Sequence, residues 1–115
     1  ETRKLVLRGV YGIVFVADSL SMRKEKNMES LKNLQENLSS YNKNIFHVPL
    51  VMQFNKRDLE KMEIPLTPVD VLQKNLNSKL KVPSFEASAL SGTNVLPTLK
   101  KIVTLTVNSI SKDLQ

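Results

Sequence analysis

The chain has 115 residues, 41% of them apolar and 24% charged, with 17 Lys and Arg against 11 Asp and Glu for a net charge of +6. That length supports one core, the composition excludes a disordered chain, and no apolar run approaches the roughly 18 residues of a membrane span. With no cysteine and a single histidine, disulfide scaffolds, thiolate metal centres and multi-histidine metal sites are excluded as well. The positive balance favours anionic partners in general. Its cations are dispersed (Lys24, Lys43, Lys56, Lys81 and Lys100, for example) and read as a solvated surface rather than a nucleic-acid stripe. The histidine, His47, reads as a loop or strand-edge residue.

An apolar run passes into a helical pattern three times along the chain. "GIVFVA", residues 12–17, is short, nearly continuous and rich in β-branched residues, as expected of a strand covered on both faces. It ends at Asp18-Ser19, which read as helix-capping residues. Met28, Leu31, Leu34, Leu38 and Tyr41 then recur at three- and four-residue steps, predicting an amphipathic helix. The second unit opens with "VPLVMQF", residues 48–54, and continues after a charged stretch into "VDVLQKNLNSKL", a short helix with Thr67 as its cap. The third is "VPSFEAS", residues 82–88, with "SGTN" as a turn and a terminal helix from Val95 to about Lys112. Leu99, Ile102, Val103, Thr106 and Ile110 mark that helix's apolar side, and Pro97 falls in its first turn, where proline is tolerated. Three strands alternating with three helices predict a mainly parallel sheet in a three-layer, Rossmann-like α/β fold. Ligands of such sheets bind at the carboxyl ends of the strands. "NKRD", residues 55–58, and "EASALSG", residues 86–92, both fall there.

A carboxylate placed as Asp58 accepts two adjacent N–H donors side by side. Guanine offers such a pair through N1–H and its exocyclic amine, and adenine does not. The stem of Lys56 can cover a planar ring while its ammonium stays in water. The amide of Asn55 can hold a ring acceptor or tie loops together.

"NKRD" resembles the N-K-x-D guanine-recognition motif of the Ras-like small GTPases, and "EASAL", residues 86–90, resembles their second base-contacting loop, E-x-S-A-x. Four residues are weak evidence alone, but two such motifs on successive strand ends reinforce each other. The resemblance implies that Asp58 reads the guanine donors and Lys56 covers the base. Asn55 would touch the base edge and brace the phosphate loop, Ser88 would steady Asp58, and the Ala89 N–H would meet the guanine carbonyl. Leu90 departs from the lysine usual in the family. "RKLVLRGVYGIVFVADS" and "VPLVMQFNKRDL" narrow the resemblance to the bacterial gliding-motility, or Mgl-type, small GTPases, over nearly the whole chain. That implies a cytoplasmic GTP/GDP switch connected with cell polarity and gliding motility, and a roadblock-type partner that accelerates hydrolysis.

The sequence contains no G-x-x-x-x-G-K-[ST] and no D-x-x-G. These are the parts that hold phosphates and Mg²⁺ in this class. Residues 1–115 are therefore expected to be the carboxyl-terminal portion of one small GTPase domain, reading guanine without hydrolysing GTP or binding Mg²⁺ themselves. The chain's start at Glu1 rather than Met fits that expectation, with roughly 80 residues upstream. On the same resemblance "TRKLVLRG" reads as the tail of a helix. The strand at 12–17 would then be an open edge through which the chain could dimerise. The rival reading is a GTPase-like interaction module without hydrolysis. A nucleic-acid binder is disfavoured because aromatic residues are few and not interleaved with cations.

Overall fold

A computed structural model describes residues 2–7, 10–88 and 92–113. Its sheet runs in the order β1-β2-β3-β4, with β1 at Thr2–Leu7, β2 at Val10–Asp18, β3 at Leu50–Asn55 and β4 at Ser84–Glu86. β2 and β3 are parallel and in register from Ile13↔Leu50 to Asp18↔Asn55, and β3 and β4 are parallel from Met52↔Ser84 to Phe54↔Glu86. Helix α1, Lys24–Ser40, connects β2 to β3, helix α2, Val69–Leu72, lies between β3 and β4, and helix α3, Val95–Asp113, follows β4. The parallel strands and their helices agree with the α/β fold expected, as part of a P-loop GTPase-like architecture.

Alternation along the strands assigns the two faces. Ile13, Phe15 and Ala17 join Leu50, Met52 and Phe54 on one side, packed with Leu34 and Leu38 of α1, Leu72 of α2 and Leu76. Val14 and Val51 point the other way, to Ile102 of α3, with Val16, Phe85 and Leu105 around them. The sheet is thus the middle of three layers.

Several expectations need correction. Thr2–Leu7 is a strand, antiparallel to β2 from Thr2↔Phe15 to Leu7↔Val10, where a helix tail was expected. The outward N–H and C=O groups of β2 require partners, and the "LVL" run with its β-branched valine suits a strand that supplies them. β2 is therefore an interior strand, and its edge is not open for a second copy to pair with. In α1 the buried stripe is Asn27, Leu34 and Leu38, with Leu31 partly buried, whereas Met28 and Tyr41 are exposed. The stripe is turned by one residue because the Asn27 amide is spent on the backbone of β2, as described below.

The second helix is α-helical only over Val69–Leu72, then widens into a π-helical turn over Gln73–Asn77 that buries Leu76 and Asn77 together. Asn77 brackets Val82 on the way into β4, accepting its N–H and donating to its carbonyl, both at 2.9 Å. Pro68, not Thr67, is the N-cap residue of α2. Thr67 is occupied by its backbone, which donates to the Ser19 carbonyl at 2.7 Å and accepts from Arg57 Nη1 at 2.9 Å.

On α3 the residues that enter the sheet are Thr98, Ile102 and Thr106, while Leu99 and Val103 are 45% and 48% exposed. The rotation follows from a close approach. An added Cβ at Gly12 would overlap the Thr106 hydroxyl, so only glycine lets α3 come this near β2.

Candidate functional site

The site is built where the three parallel strands end. β3 finishes at Asn55, whose side-chain oxygen accepts the Lys56 N–H at 2.8 Å and whose carbonyl accepts the Ser19 N–H at 3.2 Å. Lys56 has φ of 66°, a left-handed conformation that ends the strand abruptly. A 3₁₀ turn, Arg57–Met62, follows and carries Asp58, half-buried, beside that turn of chain.

Arg57 holds the two loops together. Its N–H donates to the Ala87 carbonyl at 3.1 Å, and the Ala87 N–H donates to the Phe54 carbonyl at 2.8 Å. The guanidinium donates to the Thr67 carbonyl, and its Nε lies 3.6 Å from the Glu86 carboxylate. Ser88 is buried at this junction, with its N–H on the Thr93 carbonyl at 3.2 Å. The described backbone link between the loops is the Arg57–Ala87 bond. Ala89 and Leu90 lie outside the described residues. Asn55, Lys56, Asp58 and Ser88 do share the one carboxyl edge.

Asp18 does not cap a helix. Its Oδ1 accepts the Leu20 N–H at 3.0 Å and its Oδ2 meets the Lys56 ammonium at 2.8 Å. Helix α1 begins at Lys24 after a separate 3₁₀ turn, Ser21–Arg23, with no side-chain cap on either. Asn27 of α1 brackets Asp18 by accepting its N–H at 3.1 Å and donating to its carbonyl at 2.8 Å. Neither contact was foreseen. The usable signal was an asparagine at helical spacing from Leu31 and Leu34, a polar residue on an apolar face.

Asn94 does comparable work at the start of α3, donating to the Glu86 carbonyl at 2.7 Å from a left-handed backbone with φ of 56°. Its own carbonyl accepts from the Thr98 hydroxyl, which in turn accepts from Gln53 Nε2 at 3.0 Å. One chain of hydrogen bonds thereby fixes the ends of β3 and β4 against α3.

His47 sits in the exposed turn before β3, as expected, with its N–H on the Asn44 carbonyl. It lines a cavity of about 710 Å³ at the opposite, amino end of the strands, together with Lys81 and Leu105. Asn55, Lys56, Asp58 and Ser88 do not line that cavity. Among the described residues no helix is long and apolar enough to cross a membrane, and no three His, Asp, Glu or Cys side chains gather where a metal could sit.

The mutual gliding-motility protein MglA of Myxococcus xanthus is 41% identical to this chain over 111 residues, covering 96% of the chain. Over that span the chain is similar to that gliding-motility protein. It spans 54% of the length of that relative. No family model matches the chain. The match includes both strand ends that form the candidate site, since it leaves only a few residues of the chain uncovered.

Proposed function

We propose that this chain recognises the guanine base of GTP and GDP as part of a small GTPase switch, with Asp58 reading the N1 and N2 donors and Lys56 covering the ring. The observation that carries the reading is the joining of the "NKRD" and "EAS" loops at one carboxyl edge, through Arg57 N–H to the Ala87 carbonyl. That joint sets the half-buried Asp58 beside a second loop from which a backbone N–H could approach the same base. Asn55 braces the turn through its side-chain oxygen, and Ser88, Ala89 and Leu90 would complete the site on the second loop. Phosphates and Mg²⁺ would be handled by residues other than these, so hydrolysis belongs to the whole protein. The same proposal extends to a cytoplasmic role in polarity and gliding motility and to a roadblock-type activating partner, supported by the likeness to MglA.

Calorimetry of the full protein with GDP and ADP tests the base reading. GDP is expected to bind at least about 100-fold more tightly, because a site built to bond a donor pair rejects a base lacking it. Equal affinity sinks the reading, and binding of neither nucleotide leaves an interaction module. Asp58→Asn should lower GDP affinity by about 10- to 100-fold, as expected for loss of a bidentate base contact. The same variant should gain affinity for xanthosine diphosphate, whose 2-carbonyl accepts from the new amide.

A further inference from the structure

We infer that Asp18 is a positioning residue for base recognition, acting through Lys56, and this rests on the guanine-reading proposal above. Because β2 and β3 are in register up to Asp18↔Asn55, Lys56 stands one step beyond the end of the sheet. The strands are about 4.8 Å apart, less than the length of a lysine side chain. The 2.8 Å contact between Lys56 Nζ and Asp18 Oδ2 therefore draws the four-carbon stem sideways, across the strand ends from β3 to β2. The Lys56 side chain is 44% exposed and that of Asp18 24%, so the stem offers an open apolar strip while its charge is engaged at the far end.

The anchor is itself rigid. Asp18 is held by Leu20 N–H on its other carboxylate oxygen and by the Asn27 amide on both of its backbone groups. Lysine carries some of the largest rotamer entropy of any side chain, and a stem that must be ordered on each binding event weakens binding. The Asp18 carboxylate orders it beforehand, which is preorganisation supplied from a neighbouring strand. The surface ion pair contributes little to folding by itself. Its effect is on where the lysine lies when a planar base arrives.

The test is a double-mutant cycle in the full protein, with affinities for GDP and IDP read by calorimetry. Asp18→Asn keeps an oxygen for Leu20 N–H and removes only the charge that holds Lys56. It should weaken GDP and IDP by the same factor, about tenfold, and leave the GDP-to-IDP ratio of the wild type intact. In the Lys56→Met background it should have no further effect, because the group it acts through is gone. Asp18→Ser, which can also accept from Leu20, should behave alike and serves if the asparagine variant folds poorly. Wild type that binds no guanine nucleotide overturns the reading beneath. Wild type that binds GDP, with Asp18→Asn equal to it, tighter than it, or additive with Lys56→Met, overturns this inference alone.

Discussion

The face of the sheet under α1 and α2 and the face under α3 solve the same problem with different materials. On the first, aromatic and long aliphatic side chains such as Phe15, Phe54, Leu50 and Met52 interlock with leucines from both helices. On the second, Val14, Val51 and Ile102 form the buried apolar contact, and the gap is closed by drawing the helix in over Gly12 and by the Gln53–Thr98 hydrogen bond. The first face is held by buried apolar area and tolerates small shifts. The second is held by proximity and hydrogen bonds, so a single added methyl is felt there.

Three substitutions separate the two kinds of packing. Phe15→Ala should have the largest effect, about 3–5 kcal/mol of stability, because it empties a fully buried site surrounded by apolar side chains. Urea denaturation measures it, and a loss below that of the next variant would reverse the comparison. Gly12→Ala should cost about 1–3 kcal/mol by overpacking against Thr106, and Thr106→Ala in the same chain should restore part of it. Failure of that second change to help would mean that the close approach is not what requires glycine. Val103→Gln should change stability by no more than about 0.5 kcal/mol, since the outer side of α3 is half exposed. A thermal melt showing a large drop would mean that this side is covered after all.

The strands and their order of alternation with helices were legible because a strand buried on both faces leaves a short, continuous apolar run. The abrupt polarity after Phe54 likewise marked the end of β3. Phase was harder to read. Met28 outranks Asn27 on any hydrophobic scale, yet Asn27 is buried because its amide satisfies the backbone of Asp18. Leu99 and Val103 outrank Thr98 in the same way, and the threonine enters because its hydroxyl bonds back to Asn94 and toward Gln53. The Asp18–Lys56 contact was hidden for a different reason. Nothing local says which strands become neighbours, and only the β2–β3 register, Asp18 opposite Asn55, brings that carboxylate within reach of Lys56. The strand at Thr2–Leu7 was missed because its short apolar core, preceded by cations, suits either a helix tail or a strand, and pairing with β2 decided between them.

That first strand has a consequence for the order of assembly. β1 and β2 are neighbours in sequence as well as in the sheet, with Leu7 opposite Val10, whereas β2 meets β3 only after the whole of α1 has been traversed. Closing a short loop sacrifices less chain entropy than closing a long one. The local hairpin therefore presents β2 as a template whose far edge is free, and β3 selects its register against a strand already extended. Pairing across α1 becomes the slower event, and the alignment that brings Asp18 beside Asn55 is fixed in that step.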